Sequence, residues 1–290
     1  MSVVLRVQAL RKYFRQFTLN SVDLEVPVGS ILGIIGPNGA GKTTLIKLIM
    51  NQIRPDGGTV RVFDLDYKDS EKEIKNRIGY VGEEQFFYRK RTVDWTGRFV
   101  ARFFWDWDRG RFDSLLEEFK INRSKKTGQL SKGMKTKLAL AIALSHGADL
   151  LILDEPTSGL DPIVRREVLD RLQEVAREED RTVVLSSHIS DDLSRIADHL
   201  VFLNDGEIIL RGEKDDLLCQ WKRIHFREGS LDQSVLGALE GVRSQQFSNV
   251  GICRNFPVIQ GALGNGLASG DVRVETLSLD DILLFLVNGG

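Results

Sequence analysis

The sequence predicts an α/β protein with a mainly parallel sheet, an inserted helical subdomain and a small C-terminal α+β domain. Strand-like and helix-like segments alternate along most of the chain, which is typical of strands joined by crossover helices. Between residues 86 and 145 the alternation gives way to aromatic and charged segments with helical spacing. From about Trp221 the sequence becomes glycine-rich and weakly patterned. We therefore expect a main domain over residues 1–215 and an accessory domain over residues 221–290.

The individual elements follow from hydrophobic period. Alternating or continuous apolar residues predict strands at 3–7, 19–26, 30–35, 150–153, 182–185, 200–203, 208–210 and 272–275. Helical spacing predicts helices at 42–51, 164–178 and 190–196, and a last helix that Ser278 is placed to cap. The stretches 30–35 and 150–153 are almost continuously apolar, so we expect them to be buried strands.

Composition excludes several classes of protein. The 290 residues are 42% hydrophobic and 28% charged, and the formal net charge is −1, so no basic field attracts nucleic acid. Cys219 and Cys253 lack metal-binding or redox spacing. No signal peptide is visible, and the longest apolar run, 138–153, is broken by polar residues and a glycine. If the protein acts at a membrane, other subunits must supply the spanning segments.

A glycine-rich motif lies between a predicted strand and a predicted helix. Residues 36–44, GPNGAGKTT, match G-x-x-x-x-G-K-[ST], whose backbone N–H groups cradle phosphates. The residues of this cradle are Gly36, Pro37, Asn38, Gly39, Ala40, Gly41, Lys42, Thr43 and Thr44. Lys42 is placed to contact the β- and γ-phosphates, and the Thr43 hydroxyl to bind Mg²⁺. The alternative, a glycine-rich turn without a ligand, does not require the lysine and threonine.

Two adjacent acids end the predicted strand at 150–153. In the segment LLILDEP, Asp154 is placed to hold Mg²⁺ through its water shell. Glu155 follows directly and is a candidate general base for the attacking water. The alternative is that Glu155 is an exposed loop acid.

A second helix start is also suited to an anion. In QLSKGMKTKLALAIAL, residues 129–144, Ser131 is placed to cap the apolar helix that follows, and Gly133 permits close approach of a ligand. The same hydroxyl can serve as an ordinary helix cap.

These motifs resemble the ATP-binding subunits of ABC transporters, over roughly residues 1–215. Six elements occur in the expected order: the phosphate cradle, YVGEE, LSKGM, LILDEP, SGLDP and LSSH. The resemblance implies a P-loop NTPase fold of the ABC ATPase type, with an antiparallel β subdomain and an inserted helical subdomain. It also implies ATP and Mg²⁺ as ligands, and ATP hydrolysis as the activity.

The resemblance assigns further roles by position. Ser131 and Gly133 of one ATPase domain would close over the ATP held by the other, so two chains would complete two sites. Tyr13 would stack on adenine, with Phe14 as the alternative if the register is off by one. Asp161 would couple the two sites. His188 would contact the γ-phosphate and help hold Glu155 in place.

The sequence departs from the family at two places. Glu83 occupies the position where the family usually has a glutamine that ligates Mg²⁺. A carboxylate is also a good Mg²⁺ ligand, so we expect Mg²⁺ binding to be retained. The departure instead bears on the rate of ATP hydrolysis or on its coupling to the partner subunit. In LSKGM, Lys132 and Met134 replace residues of the usual LSGGQ signature.

The resemblance favours an exporter of the bacterial drug, antibiotic-peptide or lipid type. The expected partners are transmembrane permease subunits and either a second copy or a paralogous ATPase, at the cytoplasmic face of the cell membrane. Two alternatives remain: a regulator that binds a membrane sensor, and a soluble ABC ATPase acting on nucleic acid or the ribosome. The second lacks support, because neither a coiled-coil insert nor a basic stripe occurs.

Aromatic residues recur every four positions in the helical insert, at Trp95, Phe99 and Phe103. One interpretation is that this face packs as the core of the insert. The other is that part of it, with residues 84–88, forms a groove for a cytoplasmic helix of the membrane subunit.

Overall fold

The structure is a computed structural model that describes residues 2–178, 181–244 and 248–288. Contacts between residues divide the chain into two units, Met1–Leu210 and Arg211–Gly290. The first unit contains the strands and helices that carry the motifs, and the second is a separate small domain.

The strands of the first unit are β1 (Val3–Tyr13), β2 (Thr18–Pro27), β3 (Ile31–Ile35), β4 (Gly57–Val62), β5 (Leu65–Asp66), β6 (Ile78–Val81), β7 (Leu150–Asp154), β8 (Thr182–Ser187), β9 (His199–Asn204) and β10 (Glu207–Glu213), the last of which crosses the boundary. Its helices are α1 (Lys42–Ile49), α2 (Tyr67–Asn76), α3 (Val93–Val100), α4 (Arg109–Glu118), α5 (Lys132–Leu144), α6 (Pro162–Glu178) and α7 (Ser190–Ile196).

The central sheet has six strands in the order β10-β9-β3-β8-β7-β6. Strands β9, β3, β8, β7 and β6 pair in parallel, and every residue of β3, β7 and β8 is buried. Cover on both faces explains why β3 and the first four residues of β7 carry no polar side chain. Ile35 pairs with Ser187 and Asp154 with Ser186, so the segments that follow β3, β7 and β8 lie at one edge of the sheet. The predicted α/β class is confirmed.

A second sheet, β2-β1-β4-β5, is antiparallel throughout. Its inner residues, such as Leu5, Leu10 and Leu19, join a core that also contains Ile34 of β3 and Leu45 of α1. This packing fixes the start of α1 against the antiparallel sheet.

The helical insert is built on Phe112 of α4, which is fully buried. Gly97 of α3 lies so close to this ring that a Cβ there would be 2.4 Å from it. The prediction that Trp95, Phe99 and Phe103 form the core face is wrong, because Phe103 is 61% exposed and the other two are half-buried. α3 instead buries Val93, Thr96 and Gly97. The rings of Trp95 and Phe99 stack on each other, and Phe103 meets Phe99 edge to face.

The second unit contains α8 (Lys214–Gln220), β11 (Lys222–Phe226), α9 (Gln233–Leu236), β12 (Leu239–Ser244), β13 (Asn249–Cys253), α10 (Phe256–Ile259), α11 (Gly264–Ser269), β14 (Val272–Thr276) and α12 (Leu279–Asn288). Its antiparallel sheet has the order β12-β13-β11-β14. From β11 to β14 the chain therefore follows the β-α-β-β-α-β topology of ferredoxin-like domains. Its core contains Ile224 and Phe226 with Val235 of α9 and Ile259 of α10.

Candidate nucleotide-binding site

The phosphate cradle joins β3 to α1 in a conformation that needs its glycines. A Cβ at Gly36 would lie 2.2 Å from the backbone oxygen of Leu203, so no side chain fits there. Gly39 and Gly41 have φ angles of 83° and 105°, in the region that glycine adopts without strain. Gly41 is the N-cap of α1, so the first N–H groups of this helix face the loop. The loop has the geometry of an anion site.

The side chain of Lys42 is buried against the backbone of this loop. Its Nζ donates hydrogen bonds to the backbone oxygens of Gly36, at 2.8 Å, and Pro37, at 3.1 Å. It also lies 3.2 Å from Oε1 of Glu155. The ammonium group is therefore held at the mouth of the cradle, with a carboxylate balancing its charge.

Asp154 ends β7 with only 1% of its surface exposed. Its Oδ1 accepts hydrogen bonds from the Thr43 hydroxyl, at 3.2 Å, and the Ser186 hydroxyl, at 2.7 Å. Hydroxyl and carboxylate oxygens are ligands that Mg²⁺ prefers, with water and substrate phosphates completing its shell. Thr43 and Asp154 thus offer two oxygen ligands that fit a Mg²⁺ ion. Among the described residues there is no group of three or more His, Cys, Asp or Glu that would hold a metal without such help.

Glu155 occupies a constrained position directly after β7. Its φ of 49° is unusual for a residue other than glycine, asparagine or aspartate, and its N–H donates to the Ser186 hydroxyl at 3.0 Å. Its Oε2 lies 2.6 Å from Nδ1 of His188 and accepts from the His188 backbone N–H at 3.2 Å. With 6% exposure, this carboxylate is buried against a hydrogen-bonding histidine, which suits it to accept a proton from a nearby water.

The cradle, Lys42, Thr43 and Glu155 open into one cleft of about 860 Å³, whereas Asp154 is buried and does not line it. The cleft is lined by Gln16, Phe17, Asn38, Gly39, Gly41, Lys42, Thr43, Thr44, Glu83, Glu155, Ser158, His188 and Asp205. The structure therefore brings together most of the cradle with the predicted base, histidine and Glu83. The size is within the range of about 300–1,000 Å³ for small-molecule sites.

Other predicted site residues do not line this cleft. Ser131 caps α5, where its Oγ accepts from the Met134 N–H at 3.3 Å. Asp161 caps α6 by accepting from the N–H groups of Ile163 and Val164, both at 3.1 Å. Gly133 lies against α6, since a Cβ there would be 2.9 Å from Val164.

One aromatic residue, Phe17, lines the cleft. Tyr13 is 56% exposed and does not line the cleft, whereas Phe17 does. The sequence analysis does not predict Phe17, whose one sequence signal is that it is an aromatic residue three positions after Phe14. The rings of Phe14 and Phe17 are 6.3 Å apart.

A buried carboxylate that the sequence analysis does not predict connects the loops that carry Glu155 and His188. Asp192 is 1% exposed and accepts hydrogen bonds from the Thr157 hydroxyl, at 2.6 Å, and Nε of Arg165, at 2.5 Å. Thr157 is two residues after Glu155, and Asp192 is four residues after His188. Asp192 therefore holds together the loops that carry the predicted base and the histidine.

A second groove, of about 650 Å³, lies beside the helical insert. It is lined by Glu83, Glu84, Gln85, Phe86, Phe87, Tyr88, Arg89, Thr127, Lys132 and Lys135. Glu83 lines both this groove and the nucleotide cleft.

Within the described parts of the chain, none of the helices has the length and apolar character to cross a bilayer.

Comparison with known proteins agrees with this geometry. Residues 19–158 match the family model described as "ABC transporter". Over its whole length the chain is 30% identical to the bacitracin transport ATP-binding protein BcrA of Bacillus licheniformis, covering 99% of that protein. The chain belongs to the family of ABC transporter ATP-binding proteins.

Further relatives of this ABC ATPase agree. The bacitracin transport ATP-binding protein BcrA of Enterococcus faecalis is 32% identical over 72% of this chain and 69% of that protein. A solved ATP-binding subunit of an ABC transporter superposes with a TM-score of 0.68, at 28% identity, over 75% of this chain and 92% of that one. The predicted P-loop NTPase fold of the ABC type is confirmed, as is the prediction of an ATP-hydrolysing transporter subunit.

Proposed function

We propose that this ABC ATPase hydrolyses ATP in a head-to-tail dimer and thereby drives export through separate transmembrane subunits. The observation that carries the proposal is the division of the site residues into two sets. The cradle, Glu155 and His188 lie together at one cleft, whereas Ser131, Gly133 and Asp161 do not line it. A second chain, either a copy or a paralogue, would bring its Ser131 and Gly133 to the ATP held here.

The chemistry of the cleft supports a direct attack of water on the γ-phosphate. Lys42 would exchange its contact with Glu155 for the β- and γ-phosphates, which leaves the carboxylate free to accept a proton from water. His188 would keep that carboxylate in place through the 2.6 Å contact and bind the γ-phosphate.

Contacts to Mg²⁺, to the phosphates and to the adenine ring complete the proposed site. Thr43, Asp154 and Glu83 would hold Mg²⁺, which would offset charge on the phosphates. Asn38, Thr44 and the rest of the cradle would bind phosphate oxygens through backbone N–H groups. Tyr13 remains our predicted adenine contact.

The second groove supports the assignment of a permease as partner. It presents Phe86, Phe87 and Tyr88 beside Lys132 and Lys135, a combination suited to an amphipathic helix. Docking there would place this chain at the cytoplasmic face of the cell membrane. The bacitracin transport named for two of its relatives supports a bacterial exporter of such molecules.

Mixing two inactive variants tests the composite site. Lys42→Ala disables the cradle and Ser131→Arg blocks the signature helix, so each alone should lose ATP hydrolysis by about 100-fold or more. In a 1:1 mixture, head-to-tail pairs would contain one site with an intact cradle and an intact signature, and activity should return to a measurable fraction of the parent's. A mixture as inactive as its components, in a chain whose parent is an active homodimer, would contradict the proposal.

A further inference from the structure

The sheet of the second unit has one face that is not used by its main core. Ile224 and Phe226 of β11 point into the core beneath α9 and α10. Because side chains alternate along a strand, Arg223 and His225 project from the opposite face, where α12 lies.

A groove of about 420 Å³ lies between this face and α12. It is lined by Arg223, His225, Gly241, Arg243, Val250, Gly251, Ile252, Asp281, Leu284, Phe285 and Asn288. The volume is within the range of about 300–1,000 Å³ that small-molecule sites occupy.

Apolar side chains form the long part of the groove. Val250 and Ile252 of β13 face it from the sheet, and Leu284 and Phe285 face it from α12. Leu284 is 59% exposed. Residues 282–287 of α12 are all apolar, although Ile282 alone among them is buried. The groove therefore leaves apolar surface open to a ligand.

The charges of the groove are not balanced. Arg223 donates to Asp281 at 2.7 Å and lies 3.6 Å from Glu275. His225 lies 3.2 Å from the same Glu275. No carboxylate pairs with Arg243 in the described part of the chain, so one positive charge at the groove is available to a ligand.

We propose that this groove binds a small amphipathic monoanion, such as an alkyl or aryl carboxylate of medium length. The carboxylate would contact Arg243, and the apolar body would lie on Val250, Ile252 and Leu284. A polyanion fits poorly, because Asp281 and Glu275 stand beside the other two cationic groups. All residues that line the groove belong to the second unit, so the proposal does not rest on the proposed dimer.

Calorimetric titration of the full-length protein without nucleotide tests the proposal. The probes are decanoate, decylamine and decyl glucoside, each below its micelle concentration, which share one chain and differ in head-group charge. Decanoate should saturate one site per chain, and the cationic and neutral probes should bind at least about tenfold more weakly, because only the anion pairs with the guanidinium.

Surface variants assign the binding to this groove. Arg243→Gln should weaken decanoate binding by about tenfold, whereas Arg243→Lys should retain most of it. Leu284→Asp should weaken it by a similar factor, about tenfold, by placing a like charge in the apolar part. The control is Arg273→Gln: Arg273 lies on the same face in β14, paired with His225, but does not line the groove. Its variant should bind as the parent does.

Three titration results would overturn the proposal. They are the absence of saturable decanoate binding, equal binding by the parent and Arg243→Gln, and equal binding of decanoate and decylamine. Binding to phosphatidylglycerol vesicles without binding of free decanoate would also reject it, since the groove would then contact a lipid surface rather than a small molecule.

Discussion

The ammonium group of Lys42 lies 3.2 Å from the carboxylate of Glu155, and both side chains are buried. The other oxygen of the same carboxylate contacts His188. Two motifs far apart in sequence thus share one ion pair at the mouth of the cradle. Because phosphates compete for the same ammonium group, nucleotide binding and release of the Glu155 carboxylate are linked.

Replacing the carboxylate tests its role as the general base. Glu155→Gln keeps the shape and hydrogen-bonding capacity but cannot accept the proton, so we expect hydrolysis to fall by about 100-fold or more. ATP should still bind, and an ATP-dependent dimer should persist longer than in the parent. Phosphate release and size-exclusion chromatography with ATP measure the two effects. Normal turnover by this variant would exclude Glu155 as the base.

Glu83 is expected to tolerate exchange for an amide. A carbonyl oxygen can replace the carboxylate as a Mg²⁺ ligand, so Glu83→Gln should hydrolyse ATP within about fivefold of the parent. The measurement is steady-state ATPase activity over a Mg²⁺ titration. A loss of several orders of magnitude would instead make the acid essential.

Asp192 is expected to act as a positioning residue. Asp192→Asn removes a charge that Arg165 and Thr157 contact, so hydrolysis should fall by about tenfold while ATP affinity changes by less than about twofold. The control is Arg195→Gln, which breaks the surface pair between Arg195 and Asp170 and should have little effect. An unchanged kcat in Asp192→Asn, with lower thermal stability alone, would indicate a purely structural role.

The groove beside the helical insert is expected to bind the membrane subunit. Phe87→Asp places a charge among the apolar residues of this groove, so it should prevent copurification with the permease and abolish transport, while soluble ATPase activity stays intact. Trp105→Gln is the matched control, because Trp105 is an exposed aromatic of the insert that does not line the groove. Normal transport by Phe87→Asp would place the docking surface elsewhere.

His146 makes the stability of the protein depend on pH. Burial lowers its pKa from 6.5 to about 4, so the folded state binds fewer protons than the unfolded state between these values. The contribution of His146 to stability is therefore largely present above pH 6.5 and decreases as the pH falls towards 4. Between pH 7.5 and 5.5 this contribution should lower the free energy of unfolding by about 1 kcal/mol. Denaturant titrations at both pH values measure this, and His146→Gln should remove that part of the slope. An equal slope in the variant would assign the dependence to other groups.

The chemistry-bearing motifs were legible in the sequence because each is local. A glycine-rich turn with Lys42 and Thr43, or an acid pair ending an apolar strand, depends on adjacent residues and on strand–loop–helix order. The parallel sheet was legible for the same reason, since crossover connections leave a regular alternation of elements.

The tertiary structure alone decided which distant residues meet. The contact of Glu155 with His188 depends on the register of β7 against β8, and the bonds of Asp192 to Thr157 and Arg165 depend on how α7 packs against α6. Hydrophobic spacing marked Trp95 and Phe103 as one helix face but could not tell whether that face turns inward, because burial depends on what packs against it. The ferredoxin-like order of the second unit was hidden for a related reason: strand order is set by pairing between segments that have no local signature.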